Sequence, residues 1–306
     1  MTLTSGARRT GAALCIALAL IEGGWIVRDL TAIPSPLDLW NSWIGRLHVM
    51  STTTTLETPL LLLVHVTVLV GVVRRRTTAG ALVVAGLATL VVRLPGLWVL
   101  TSPWMDLRAT DELRMRAVYT SLAALGLGVG LLITAAAGRS AATHPTQRAP
   151  LLTSLLLGVA AGVLAGWEIR WFLRSPDGEA LDRFTGSETA LLPLLAAPPG
   201  WLAVLTATLA LGATLAAVRP LGLVAAALLA AAGVRQLGGL LRDGVAVRLK
   251  ELSVEEQLLM ASWGFEATAG AVVLVLLARP EPVRPAFRES PPAIGPPPPS
   301  APPPGW

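Results

Sequence analysis

Apolar runs of about twenty residues recur along this chain, the length a helix needs to cross a hydrocarbon core of about 30 Å at 1.5 Å per residue. They lie near 11–28, 57–73, 79–101, 117–137, 151–170, 200–218, 220–241 and 258–278. That spacing predicts an all-α integral membrane protein with eight transmembrane helices. The run at 57–73 is the shortest, and without it the count is seven. Composition agrees: 53 % of residues are hydrophobic and 14 % charged, against about a quarter charged in ordinary soluble domains.

The basic excess is almost entirely arginine, with Lys250 the only lysine, in a chain rich in Ala, Leu, Gly and Pro. Such a bias follows from a GC-rich genome, and no basic stretch is interleaved with aromatics in the manner of a nucleic-acid surface. Nucleic acid is therefore not an expected partner. The single cysteine, Cys15, lies inside the first run, so neither an internal disulfide nor a cysteine metal cluster is expected. Arg8 and Arg9 precede an apolar run as in a signal peptide, but Glu22 and Arg28 without a small-residue cleavage site favour an uncleaved first span. The dense RRR at 74–76 sits in a very short turn and places the N-terminus in the cytoplasm by the positive-inside rule. Nine of the ten tryptophans then fall at or near the outer ends of spans, an anchoring belt or a surface that recognises lipid or glycan.

Sliding the chain against itself by 142 residues superposes GWIVR (24–28) on GWEIR (166–170). Gly24, Trp25, Arg28 and Pro34 land on Gly166, Trp167, Arg170 and Pro176; Arg93 lands on Arg235, and Gly128 on Gly270. One offset that holds from Gly24 to Gly128 implies two tandem four-helix repeats, 11–138 and 151–279. A short cytoplasmic N-terminus (1–10) precedes them, a linker (139–150) joins them and a Pro-rich tail (280–306) follows. An even number of spans per unit keeps both units parallel, as in transporters built from parallel repeats. The glycines of GVAAGVLAG (158–166) predict close helix packing by the small-xxx-small pattern. Trp25, Arg28, Trp167 and Arg170 mark the outer mouth of the first helix in each unit, where each Arg can snorkel beside its Trp.

Five ionisable residues lie too deep to snorkel easily. Arg93 and Arg235 each sit about 21 Å up a rising helix by the helical rise, and Glu22 about 17 Å. His65 and Glu266, on descending helices, arrive near 18 Å in a core of about 30 Å. A charge at that depth costs at least about 2.5–3.5 kcal/mol and faces the bundle interior, paired. The simplest pairing is Glu22 with Arg93 and Glu266 with Arg235. Alternatively, the layer of Glu22, His65, Arg93, Arg235 and Glu266 is a polar site open to the outer face, with both arginines holding one anion.

The expected function is therefore transport or binding of a small anionic or lipid-like substrate. The alternative is a non-catalytic membrane scaffold or accessory subunit whose charges form structural ion pairs; a membrane redox or metal protein is third. No HExxH, nucleophile elbow or P-loop is present, so no catalytic residue, metal or cofactor is assigned. The stretch LLLLVHVTVLVG (60–71) is similar to a helix of bacterial copper-resistance membrane proteins. That likeness is confined to one motif and lacks companion metal ligands. His48 falls in a loop and His144 on the opposite side, so neither completes a site with His65. The segment PLDLWNSWIGRL (36–47) suits a helix lying in the interface. The tail holds half of the prolines and reads as extended and disordered, with a cytoplasmic partner conceivable for it. The predicted setting is the cell membrane, multi-pass, with both termini cytoplasmic and the lipid bilayer and another membrane protein as partners.

Overall fold

A computed structural model describes residues 3–47, 51–74, 79–107, 109–138, 151–175, 179–186, 192–216, 219–244 and 251–278. The linker at 139–150 and the tail at 280–306 lie outside the described residues, as do His48 and His144. Helix accounts for 86 % of the structure, and the described residues contain no strand.

Among the described residues ten helices follow one another: α1 (Ser5–Ala32), α2 (Pro36–Trp43), α3 (Glu57–Val73), α4 (Ala79–Thr101), α5 (Asp111–Ala137), α6 (Leu151–Arg174), α7 (Glu179–Thr185), α8 (Pro199–Ala216), α9 (Arg219–Arg242) and α10 (Val254–Ala278). Several starts are written in local chemistry. Thr4 caps α1 by accepting from the Ala7 amide, and Thr110 caps α5 by accepting from the Leu113 amide. Ser35 caps α2, whose first residue is Pro36. A short 3-10 turn, Pro103–Leu107, links α4 to α5.

Six helices, α1, α4, α5, α6, α9 and α10, are long and apolar enough to cross a membrane. Every one of the eight predicted runs is a helix, but α3 and α8 are shorter apolar helices. The 17 residues of α3 reach only about 26 Å at the helical rise. Only 28 % of the apolar stretch of α1 or α5 is buried, and 22 % of that of α6 or α10. Leu20, Leu63, Leu155 and Ile133 point outward into whatever surrounds the bundle. Helices that bury so little of such apolar surface belong in lipid. The most enclosed are α4 and α9, at 61 % and 44 %.

Packing follows two similar circuits. Helix α1 lies against α3 and α5, and α4 against α3 and α5; likewise α6 lies against α8 and α10, and α9 against α8 and α10. The circuits meet where α4 touches α8 and α9, and where α3 touches α9. Leu61, Ala88, Val91 and Val92 from one side interleave there with Val224 and Leu228 from the other. Glycines set the tightest crossings. A Cβ on Gly86 would sit 2.8 Å from the Gly128 carbonyl oxygen, between α4 and α5. A Cβ on Gly270 would sit 2.6 Å from the Ala230 amide, and one on Gly233 2.4 Å from the Ala267 amide, both between α9 and α10.

The close packing expected at GVAAGVLAG is not where the sequence placed it. Gly158 faces Thr214 at ordinary contact distance, while Gly162 and Gly166 face open space. At the tryptophan-bearing end, α2 is shorter than the expected 36–47: it ends at Trp43, shows Leu37 and Trp40 outward and buries Leu39. Its last turn rests on α9: a Cβ on Gly238 would be 1.6 Å from the Ile44 carbonyl oxygen. Gly45, at φ +77°, lies over the Arg235 carbonyl in a conformation that other residues adopt only with strain.

Candidate functional site

The five deep ionisable residues divide into two groups. In the first circuit, Arg93 on α4 reaches Glu22 on α1 with two nitrogens, Nε donating to Oε1 at 3.2 Å and Nη2 to Oε2. Both side chains are sealed, at 3 % and 0 % exposure. The Arg93 Nη1 atom is left without a partner. One turn below Arg93, Thr89 donates to the Ala85 carbonyl at 2.8 Å, so its oxygen accepts from the His65 Nε2 hydrogen at 3.0 Å. This orients the ring of His65, wholly buried, between α3 and α4, with its Nδ1 left without a partner among the described residues.

Arg235 has a different partner from the one its sequence position suggests. It is not joined to Glu266. Its Nη1 donates to Oε1 of Glu57 at 3.0 Å, across from α9 to the first turn of α3. Glu266 precedes Ala267, which meets Gly233 at the close α9–α10 crossing, and it borders a cavity beside that crossing. Glu57 was not singled out in the sequence because an acid in the first turn of a helix is ordinary dipole chemistry. In the fold it is buried, at 4 % exposure.

The cavity, about 110 Å³, is bordered by Glu57, Glu168, Arg183, Arg235 and Glu266 and walled by Trp167, Trp171 and Trp263. Arg93 does not border it, so the two arginines do not share a pocket. Arg183 on α7 donates to Glu168 at 2.5 Å and lies 5.1 Å over the Trp171 ring. Two buried atoms of residues around the cavity have no partner among the described residues, Glu57 Oε2 and Arg183 Nε, and Glu266 makes no hydrogen bond or ion pair among them. Thr58 Oγ1, His65 Nδ1, Arg93 Nη1 and Thr153 Oγ1 are likewise unpartnered among the described residues, on residues that do not line the cavity.

The mouth residues do separate work. Trp25 is buried and donates through its indole to Thr120 at 3.1 Å. Arg28 donates to Asp29 at 2.8 Å and to the Ser51 carbonyl at 2.6 Å. Asp29, wholly buried, accepts from the amides and hydroxyls of Thr53 and Thr54 at 2.5–3.1 Å, clasping the TTTT loop (52–55) to α1. In the second circuit, Arg170 lies 5.7 Å over its own Trp167 and pairs with Glu255 of α10, which Arg174 also reaches at 3.0 Å. Both arginines are therefore held by acids instead of snorkelling freely. Among the described residues, no group of three or more His, Cys, Asp or Glu is arranged to hold a metal ion.

No protein-family model matches the chain, and no curated protein or solved structure is similar to it.

Proposed function

We propose that this chain is a multi-pass protein of the cell membrane that binds and carries a small polar ligand with an anionic group, in the cavity at Arg235. One observation carries the reading: Arg235 borders that cavity with a single nitrogen engaged, by Glu57. A guanidinium so placed offers the rest of its planar fork to a carboxylate or phosphate. The aromatic walls give a mostly apolar pocket with a few convergent polar groups, the usual form of a small-molecule site.

The architecture we propose for it is eight spans in two tandem parallel repeats, 11–138 and 151–279, with cytoplasmic termini and an extended tail. Support comes from the matching circuits of α1, α3, α4, α5 and α6, α8, α9, α10, from the central burial of α4 and α9, and from Gly128 and Gly270 at corresponding crossings. Helices α3 and α8, short for a full crossing, then occupy the same place in each repeat, and local thinning or burial among neighbours accommodates them. The scaffold reading keeps its own support in the sealed Glu22–Arg93 pair, which offers nothing to a ligand.

Native mass spectrometry of the full chain in nanodiscs tests the proposal. A small retained mass that Arg235→Ala abolishes, and Thr89→Val leaves in place, supports the cavity as a ligand site. A bare chain that also carries no solute into liposomes, or one holding only a protein partner, overturns it in favour of the scaffold.

A further inference from the structure

The charges around the cavity do not balance, and the residue responsible is Glu266. Two arginines and three carboxylates border it. Arg235 is paired with Glu57 and Arg183 with Glu168, which leaves one acid over. Glu266 is 4 % exposed and makes no hydrogen bond or ion pair among the described residues. A purely anionic ligand on Arg235 would leave Glu266 uncompensated beside it, at a depth where a lone charge is costly. A ligand that also brings a cation removes that difficulty.

Building on the reading of the cavity as a ligand site, we propose that its ligand is a zwitterion whose anionic group binds Arg235 and whose ammonium binds Glu266, between the walls of Trp167, Trp171 and Trp263. The tryptophan faces suit this, because an indole ring attracts a cation and tolerates a short methylene chain. Size suits it too. A cavity of about 150 Å³ holds benzene, so about 110 Å³ limits the ligand to the charged end of a short zwitterion, such as part of a small amino acid or of a lipid's phosphoethanolamine, and excludes a bulky solute.

The test uses the full chain in nanodiscs of phosphatidylglycerol, a lipid without an amine, and follows tryptophan fluorescence. Two zwitterions, O-phosphoethanolamine and β-alanine, are each compared with the analogue that lacks the amine, ethyl phosphate and propionate. At least one zwitterion binds ten-fold or more tightly than its analogue, and Glu266→Gln removes that advantage while the analogue's own affinity holds or rises. Binding of the analogues as tight as that of the zwitterions, with Glu266→Gln silent, overturns the zwitterion and leaves an anion site, as a permanently protonated Glu266 would. The comparison on the unaltered chain decides this even if the variant does not fold. The source is separated by adding phosphatidylethanolamine to the nanodiscs. Displacement of the soluble zwitterion, or retention of that lipid in the native mass spectrum and its loss in Glu266→Gln, assigns a headgroup. Undiminished soluble binding assigns a free solute. If no probe binds and no lipid is retained, the zwitterion and the ligand site both fall.

Discussion

Arg93 and Arg235 stand 142 residues apart, on helices that occupy matching places in the two circuits, yet the protein treats them in opposite ways. The first is locked to Glu22 of its own circuit and closed to solvent. The second reaches across to Glu57 of the other circuit and borders a cavity. One substitution pattern accounts for the divergence. The position matching Glu22 is Leu164, and the position matching Glu57 is Pro199. With leucine at the place of Glu22 on α6 and Glu168 of that helix engaged by Arg183, Arg235 pairs with Glu57 of α3. Its pairing then ties the two circuits together and leaves Glu266 free. Two circuits of similar packing thus hold one arginine in a sealed ion pair and leave the other beside a cavity.

The sharpest way to break this comparison is to remove one partner from each arginine. Glu22→Ala strands Arg93 in a sealed site and should destabilise the fold by about 3–5 kcal/mol, the loss typical of one half of a buried pair. Replacing both with Glu22→Leu and Arg93→Met should recover most of that, since apolar residues of similar volume serve a buried pair's place well. Glu57→Ala strands Arg235 only beside a cavity that water can enter, so its loss should be less than half as large. Urea unfolding in bicelles reads all three. Equal losses at Glu22 and Glu57 would mean that the two arginines are alike after all.

Asp29 sharpens the contrast at the tryptophan-bearing end. Its matching residue is Trp171, which has no carboxylate to clasp a loop, and among the described residues of the second circuit Glu168 holds Arg183 instead. Asp29→Ala leaves the amides of Thr53 and Thr54 without their acceptor, and should destabilise by about 2–3 kcal/mol, the scale of lost hydrogen bonds to a charged group. Backbone hydrogen exchange should rise at 52–55 and stay unchanged at 179–186. If both segments loosen together, the loops form one unit and the contrast fails.

How much of this was legible beforehand depends on which physical direction a residue's role runs along. Positions along a helix axis were readable, because hydropathy and a fixed rise per residue set them. That is why all eight runs are helices and why Glu22 and Arg93 meet at one depth. Positions around a helix were not, because hydropathy that is high on every face leaves no stripe to mark the partner side. The pairing of Arg235 with Glu57, and of Asp29 with the threonine loop, therefore had no periodic signal. The only hints were an acid directly after GWIVR and four threonines in a row.

The same blindness explains the glycines, which provide the last and smallest test. GVAAGVLAG has the spacing of a packing motif, yet Gly162 and Gly166 meet nothing, while the isolated Gly270 lies on the α9 backbone. Gly270→Val should therefore force the α9–α10 crossing apart and destabilise by about 1–3 kcal/mol, as overpacking does. The matching change, Gly128→Val, where a Cβ would meet Thr89 at 3.3 Å, should act in the same direction and more mildly. Gly162→Ala and Gly166→Ala should instead stabilise, each by up to about 0.5–1 kcal/mol, because alanine gains helix propensity in unfilled space. Thermal unfolding of the four variants in one detergent ranks them directly. A loss at Gly162 or Gly166 as large as that at Gly270 would place a second copy of the chain, or another helix, against the open face of α6.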